Sequence, residues 1–182
     1  MKCLKCKKKQ RIRGFDFCRN CFIKVIDRRV RKELKISKAI KKGDNLLIID
    51  DGTCSAKLNI LLIKKIAGKI AKIKVKKQSF NINKKINFKG KIIAPWNLDD
   101  EIRLFMKSFL NNKPFRYLGN YDNIIKPLAC LKQDECELFA KLLGLKFRKD
   151  KKKDDLTEFI GKIENKYLGT RFSILKSSKH ML

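Results

Sequence analysis

Two groups of residues in this chain have the types and spacing to do chemistry. The first is Cys3, Cys6, Cys18 and Cys21, in the pattern C-x2-C-x11-C-x2-C. Two thiolate pairs, each on a tight knuckle, converge naturally on a tetrahedral S4 site of the kind that holds zinc. Four protein ligands leave no open coordination position, so the expected Zn²⁺ is structural and not catalytic. Its binding energy would fold a segment too short to fold alone. Iron, or an iron cluster, is the alternative occupant. The second group is the stretch IIDDGTCSAKL, residues 48–58. Leu46 to Ile49 predict a short buried strand, Gly52 and Ser55 a tight turn, and Lys57 to Lys69 a helix. A strand, glycine turn and helix in this order present backbone N–H groups to a phosphate. Here Asp50 and Asp51 stand where the anion would sit. Like charges about 4 Å apart cost on the order of 4 kcal/mol at an effective dielectric near 20. ATP at Gly52 and Ser55 is therefore doubtful, unless a magnesium ion bridges the carboxylates.

The remaining reactive residue types are weaker signals. Cys130 and Cys136 lie among apolar neighbours and read as small buried hydrophobes. Cys54, at the start of a helix, sits where a thiol can be acidified. Asp99 and Asp100 form an acidic pair that reads as favourable charge at a helix N-terminus rather than as an acid–base pair. His180 is the sole histidine, and neither metal binding nor acid–base catalysis is assigned to it.

The elements that must position these groups are legible in outline. The first unit is residues 1–36, the cysteine module and a basic helix. After Cys21 the residues Phe22, Ile26, Val30 and Leu34 recur every four positions, which predicts an amphipathic helix. Arg28, Arg29, Arg31 and Lys32 lie off that stripe and are candidate contacts for RNA phosphates. Residues 37–44 read as a linker into a second unit, 37–182. There, Ile70 to Val75 alternates isoleucine or valine with lysine, as an outer strand does. Residues 77–90 are polar and predict a loop, and Lys91 to Ala94 a short strand. Asn97 caps a helix with Ile102, Phe105, Met106, Phe109 and Leu110 on its apolar face. Residues 111–124 read as loop, Leu131 to Leu143 as a helix, 146–155 as a charged loop, and Leu156 to Tyr167 as the last helix. Phe172 to Leu182 is a tail of mixed character. Strands alternating with helices predict a small parallel α/β sheet.

Composition narrows the partners. The 182 residues carry 47 Lys plus Arg against 18 Asp plus Glu, a net charge of +29, with 43% hydrophobic residues. A core is affordable at that apolar content, but so basic a body repels itself unless it meets a polyanion. Nucleic acid is the expected partner, with binding that weakens steeply with salt. No run of 18 apolar residues spans a membrane, and MKCLKCKKKQ has no apolar core of a signal peptide. A cytoplasmic, reducing setting is expected, in which seven cysteines serve metal or thiol chemistry rather than disulfides.

The segments CLKCKKKQ, FDFCRNCF and RRVRKEL resemble the N-terminal zinc module of the cytosolic tRNA 2-thiolation proteins. That family belongs to the PP-loop ATPases, which adenylate a tRNA base before sulfur is inserted. LLIIDDGTCSAKL falls at the place of the PP-loop motif S-G-G-x-D-S. PWNLDDEIRLFMKSF resembles the family's G-H-N-L-D-D-E helix start, and IIKPLACLKQDECELFAKLLGL its K-P-L segment. DLTEFIGKIENKYLGTRFSILKSSKHML resembles its C-terminal segment. Within the PP-loop pattern Gly52 and Ser55 match, whereas Asp50, Asp51 and Cys54 depart from it. The core-domain C-x2-C pair of catalytic members is missing, because no cysteine lies between Cys54 and Cys130. The resemblance therefore implies a shortened, degenerate PP-loop protein, similar to the non-catalytic second subunit of the eukaryotic complex. It implies a role in 2-thiolation of wobble uridine, as a heterodimer with a catalytic PP-loop paralogue, with sulfur delivered by a ubiquitin-like carrier. It adds Lys126, in the K-P-L match, as a candidate RNA contact. A minimal ATP-dependent sulfurtransferase and a zinc-containing RNA-binding protein are the alternatives.

Overall fold

The computed structural model describes residues 1–82, 84, 86–112, 123–149 and 155–180. Its centre is a four-stranded parallel sheet in the order β2-β1-β3-β4. The strands are β1 Asn45–Asp50, β2 Lys72–Lys77, β3 Lys91–Ile93 and β4 Ile124–Ile125. β1 is covered on both faces, which is why it reads as an unbroken apolar run rather than an alternation. Leu46 and Ile48 point to one side and Leu47 and Ile49 to the other, and each side meets its own apolar cluster.

The first side holds the main core. Helix α2, Cys54–Ala67, buries Leu58, Leu62, Ile63 and Ala67 there. Helix α4, Gln133–Leu142, adds Cys136, Phe139 and Ala140. Helix α1, Arg19–Ile36, adds the whole predicted stripe of Phe22, Ile26, Val30 and Leu34. Residues 1–36 thus share one core with the sheet. The edge of Phe15 meets the ring of Phe22 at 5.2 Å between centroids, tying the cysteine module to that core. The second side is roofed by loop residues, with Phe80, Ile86 and Phe88 lying on Leu47, Ile49 and Ile92.

Three further helices share an apolar cluster of their own. These are α3 Leu98–Leu110, α5 Asp155–Lys166 and α6 Thr170–His180. Leu98, Ile102 and Ile160 form their common apolar contact, with Met106, Leu156, Ile174 and Leu175 packed around it. Asn97 caps α3 as its sequence predicts: its side chain accepts from the Asp100 amide, and Asp100 accepts from the Asn97 amide.

Several expectations need correction. Helix α2 starts at Cys54 and not Lys57, because the Thr53 hydroxyl caps it earlier. β2 runs to Lys77, which shortens the expected loop. Ile124, expected in a loop, and Ile125, not assigned to an element, pair with Ile92 and Ile93 as the edge strand β4. The mixed tail is helical from Thr170, so the helix ending at Lys166 is not the last. Residues 113–122 and 150–154 of the two expected loops lie outside the described residues. Among the described residues, no helix is long and apolar enough to cross a membrane.

Candidate functional site: a cysteine cluster and a self-filled phosphate turn

The four N-terminal cysteines come together. Their sulfur atoms all lie within 4.8 Å of one another. Cys3 and Cys6 sit on a knuckle closed by the Lys7 amide donating to the Cys3 carbonyl at 2.9 Å. Cys18 is the residue that precedes α1, and Cys21 lies in its first turn. The helix therefore presents the second pair, and its buried stripe holds that pair against the body of the protein.

A zinc–sulfur bond of about 2.3 Å gives a tetrahedron with edges of about 3.8 Å. The Cys6 and Cys18 sulfurs are 3.8 Å apart. That spacing suits one ion and leaves no room among the four sulfurs for a multi-iron cluster. The electrostatics agree. Burial raises the Cys3 thiol, but the amides of Cys6, Cys18 and Lys5 outweigh it and bring it down to about 6. The amides of Lys8 and Lys9 lower Cys6 as well. Cys21 is pushed up to about 12, by burial first and then by the neighbouring thiols Cys18, Cys6 and Cys3. Crowded thiolates cannot all form unless a cation lies between them, and a bound metal supplies that charge.

The second group lies at the C-terminal edge of β1, where this class of sheet binds ligands. Gly52 makes the turn with φ of +83°, a conformation that side chains rarely adopt. The turn's own carboxylates occupy two of its backbone donors. Asp50 Oδ1 accepts from the Gly52 amide at 3.0 Å. Asp51 Oδ1 accepts from the Thr53 amide at 3.1 Å and from the Thr53 hydroxyl at 2.7 Å. The Ala56 amide is capped by Thr53. Lys57, a cation well placed for a phosphate, instead holds Asp50 Oδ2 at 2.7 Å.

Burial of Asp50 favours its neutral form, but Lys57 and the Gly52 amide overcome this and hold the carboxyl below its usual range. Asp50 therefore stands as a carboxylate where a nucleotide would bring its own negative charge, and it holds the Lys57 cation to itself. Arg148 braces it from outside, with its amide on the Gly52 carbonyl at 2.8 Å and its guanidinium on the Asp51 carbonyl at 3.2 Å. Ser55, the other residue matching a PP-loop, is 3% exposed and its hydroxyl takes a bond from Asn97 at 3.4 Å.

The acidic pair Asp99–Asp100 is structural. Asp99 accepts from the Gln133 amide and from Arg171 Nε, each at 2.6 Å, joining the start of α3 to α4 and α6. Asp100 closes the α3 cap and pairs with Arg103 at 2.5 Å. Sequence reading had no means of finding Arg171 or Gln133, whose partners lie far along the chain. Of the lone thiols, Cys54 and Cys136 are buried and Cys130 is partly so. Cys54 is 1% exposed, with Gln133 Nε2 at 3.6 Å from its sulfur. Burial pushes Cys130 up to about 12 and Cys136 well above a free thiol.

The predicted RNA contacts divide. Arg28 and Lys32 stand exposed on α1. Arg31 is exposed and pairs with Asp27 one turn away at 2.7 Å. Two candidates are engaged within the protein. Arg29 turns inward, donating to Glu135 at 2.5 Å and to the Cys130 carbonyl, under the ring of Phe172. Lys126 is 7% exposed and bonded to buried Glu101 at 2.9 Å, which the Trp96 indole also contacts. Each is held by an acid distant in sequence.

No protein-family model matches the chain, and no curated protein matches it. Among solved structures it is similar to the U34-tRNA thiolase NcsA from Methanococcus maripaludis, determined with its [4Fe-4S] cluster. The TM-score is 0.76 at 18% identity, and the match covers 100% of this chain and 87% of that one. The chain therefore shares its overall fold with that thiolase, an α/β fold built on a small parallel sheet.

Proposed function

We propose that this chain is a non-catalytic subunit in the 2-thiolation of wobble uridine in tRNA. The observation that carries the reading is the self-filled turn: Asp50 and Asp51 accept the Gly52 and Thr53 amides of the turn, and Lys57 is bound to Asp50. A chain with the fold of a tRNA thiolase and a turn closed to phosphate is suited to hold tRNA and a partner rather than to activate a base. Its zinc module would dock rigidly through Phe22, and its exposed α1 cations would meet the tRNA backbone without reading sequence. The partner in this reading is a catalytic PP-loop paralogue, which binds ATP and receives sulfur from a ubiquitin-like carrier in the cytosol.

Thiolated tRNA is retarded in mercury-containing gels, which gives a direct test. Deleting the gene should abolish the retarded band. A Gly52→Asp variant should restore it, because no nucleotide is needed at this turn, whereas Cys18→Ser should not. Thiolation that persists in the deletion would overturn the proposal. Rescue that fails with Gly52→Asp in a folded protein would return the chain to the enzymes.

A further inference from the structure

The strand β2 carries a feature that the thiolation reading does not use. Residues 69–91 hold nine lysines and no aspartate or glutamate. Within them, Lys72, Lys74 and Lys76 are exposed on an edge strand. Lys74 and Lys76 pair in register with Leu47 and Ile49, so the row lies on the loop-roofed side of the sheet. Helix α1 packs on the opposite side. Elsewhere the protein matches its inward lysines to acids, as at Lys57, Lys91, Lys126 and Lys132. No ion pair is seen for this row among the described residues.

We propose that Lys72, Lys74 and Lys76 form a second RNA-binding surface, gripping consecutive backbone phosphates on the face of the sheet opposite α1. Alternate residues on a strand are about 6.6 Å apart, close to the separation of neighbouring phosphates along an RNA strand. Lysine as a point charge suits such a contact, which positions a backbone and reads no base. Lysines on an edge strand also discourage edge-to-edge pairing, and a single charge is enough for that. Here every residue on that side of the strand is a lysine, and the surrounding loop adds only more positive charge. The inference rests on tRNA as partner, but not on thiolation.

The test uses the zinc-loaded full chain and a fluorescein-labelled tRNA transcript, with affinity measured by anisotropy from 50 to 300 mM salt. The triple variant Lys72→Gln, Lys74→Gln, Lys76→Gln should bind at least about tenfold more weakly at 100 mM salt. Its slope of log affinity against log salt should be shallower by about 2, since each phosphate contact contributes close to one. On the wild-type chain, bound tRNA should protect these three lysines from amine acetylation read by mass spectrometry, a readout that needs no variant to fold. Unchanged slope and no protection would overturn the proposal. So would a triple variant that binds tRNA normally but self-associates in sedimentation, which would make the row an edge guard only. Failure of the wild-type chain to bind tRNA at all would instead remove the thiolation reading along with this one.

Discussion

Asp50 shows how much of the function turns on single side chains. It closes the Gly52 amide and neutralises Lys57, so it supports the fold while excluding an anion. Its lowered carboxyl sets a pH dependence with a definite sign. The stabilisation is fully present above the unfolded-state value of about 3.9 and is lost as pH falls through the lower folded value. Denaturant titrations should therefore find Asp50→Asn less stable than wild type by about 2 kcal/mol at pH 7. The gap should shrink as pH drops from 4 toward 2; a gap independent of pH would contradict the assigned ion pair. Cys21 offers a second residue-scale prediction. Cys21→Ser should lower bound metal from about one ion per chain, measured by elemental mass spectrometry, because a tetrahedral site needs its fourth thiolate. Both sites were legible in the sequence as residue types at telling spacings. What the sequence could not show was which donors the aspartates would take, since that depends on the φ of Gly52 and the cap at Thr53.

At the scale of elements, α1 links metal to core. Its stripe was legible because four apolar residues recur with a helical period and no polar residue interrupts them. Phe22→Ala should cost about 3–4 kcal/mol by loss of a fully buried ring. Hydrogen exchange should show the amides of residues 1–36 opening with it, as they should on metal chelation. A variant with normal protection there would mean that the cysteine module is independent of the body. Helix α6 was not legible, because it buries little of its own surface and is held by polar contacts. Arg171 Nε bonds to Asp99 and its amide to Glu164. Ending the chain at Leu168 should therefore lower stability by at least about 2 kcal/mol, since both acids would be left without those partners. A truncated chain with an unchanged unfolding midpoint would show that these bonds contribute nothing net. Strand β4 escaped notice for a simpler reason: two residues carry no period.

For the molecule as a whole, the parallel sheet was legible because β1 is apolar throughout and its neighbours alternate with helices. Charge was legible as a total but not as a map. Arg29 and Lys126 counted toward +29, yet each is held by an acid more than 20 residues away in sequence. Among the cations that remain outward are those of α1 and those of β2, on opposite sides of the sheet. A molecule so arranged should lose tRNA affinity steeply with salt, by several powers of ten for a handful of phosphates between 50 and 200 mM.

The central claim is that the glycine turn after β1 is filled from within, and calorimetric titration of ATP with Mg²⁺ into the metal-loaded protein tests it most directly. The account predicts no saturable heat up to millimolar ATP, in wild type and in Gly52→Asp alike. Saturable binding by wild type that Gly52→Asp abolishes would contradict it, and would show that the aspartates yield this turn to a nucleotide.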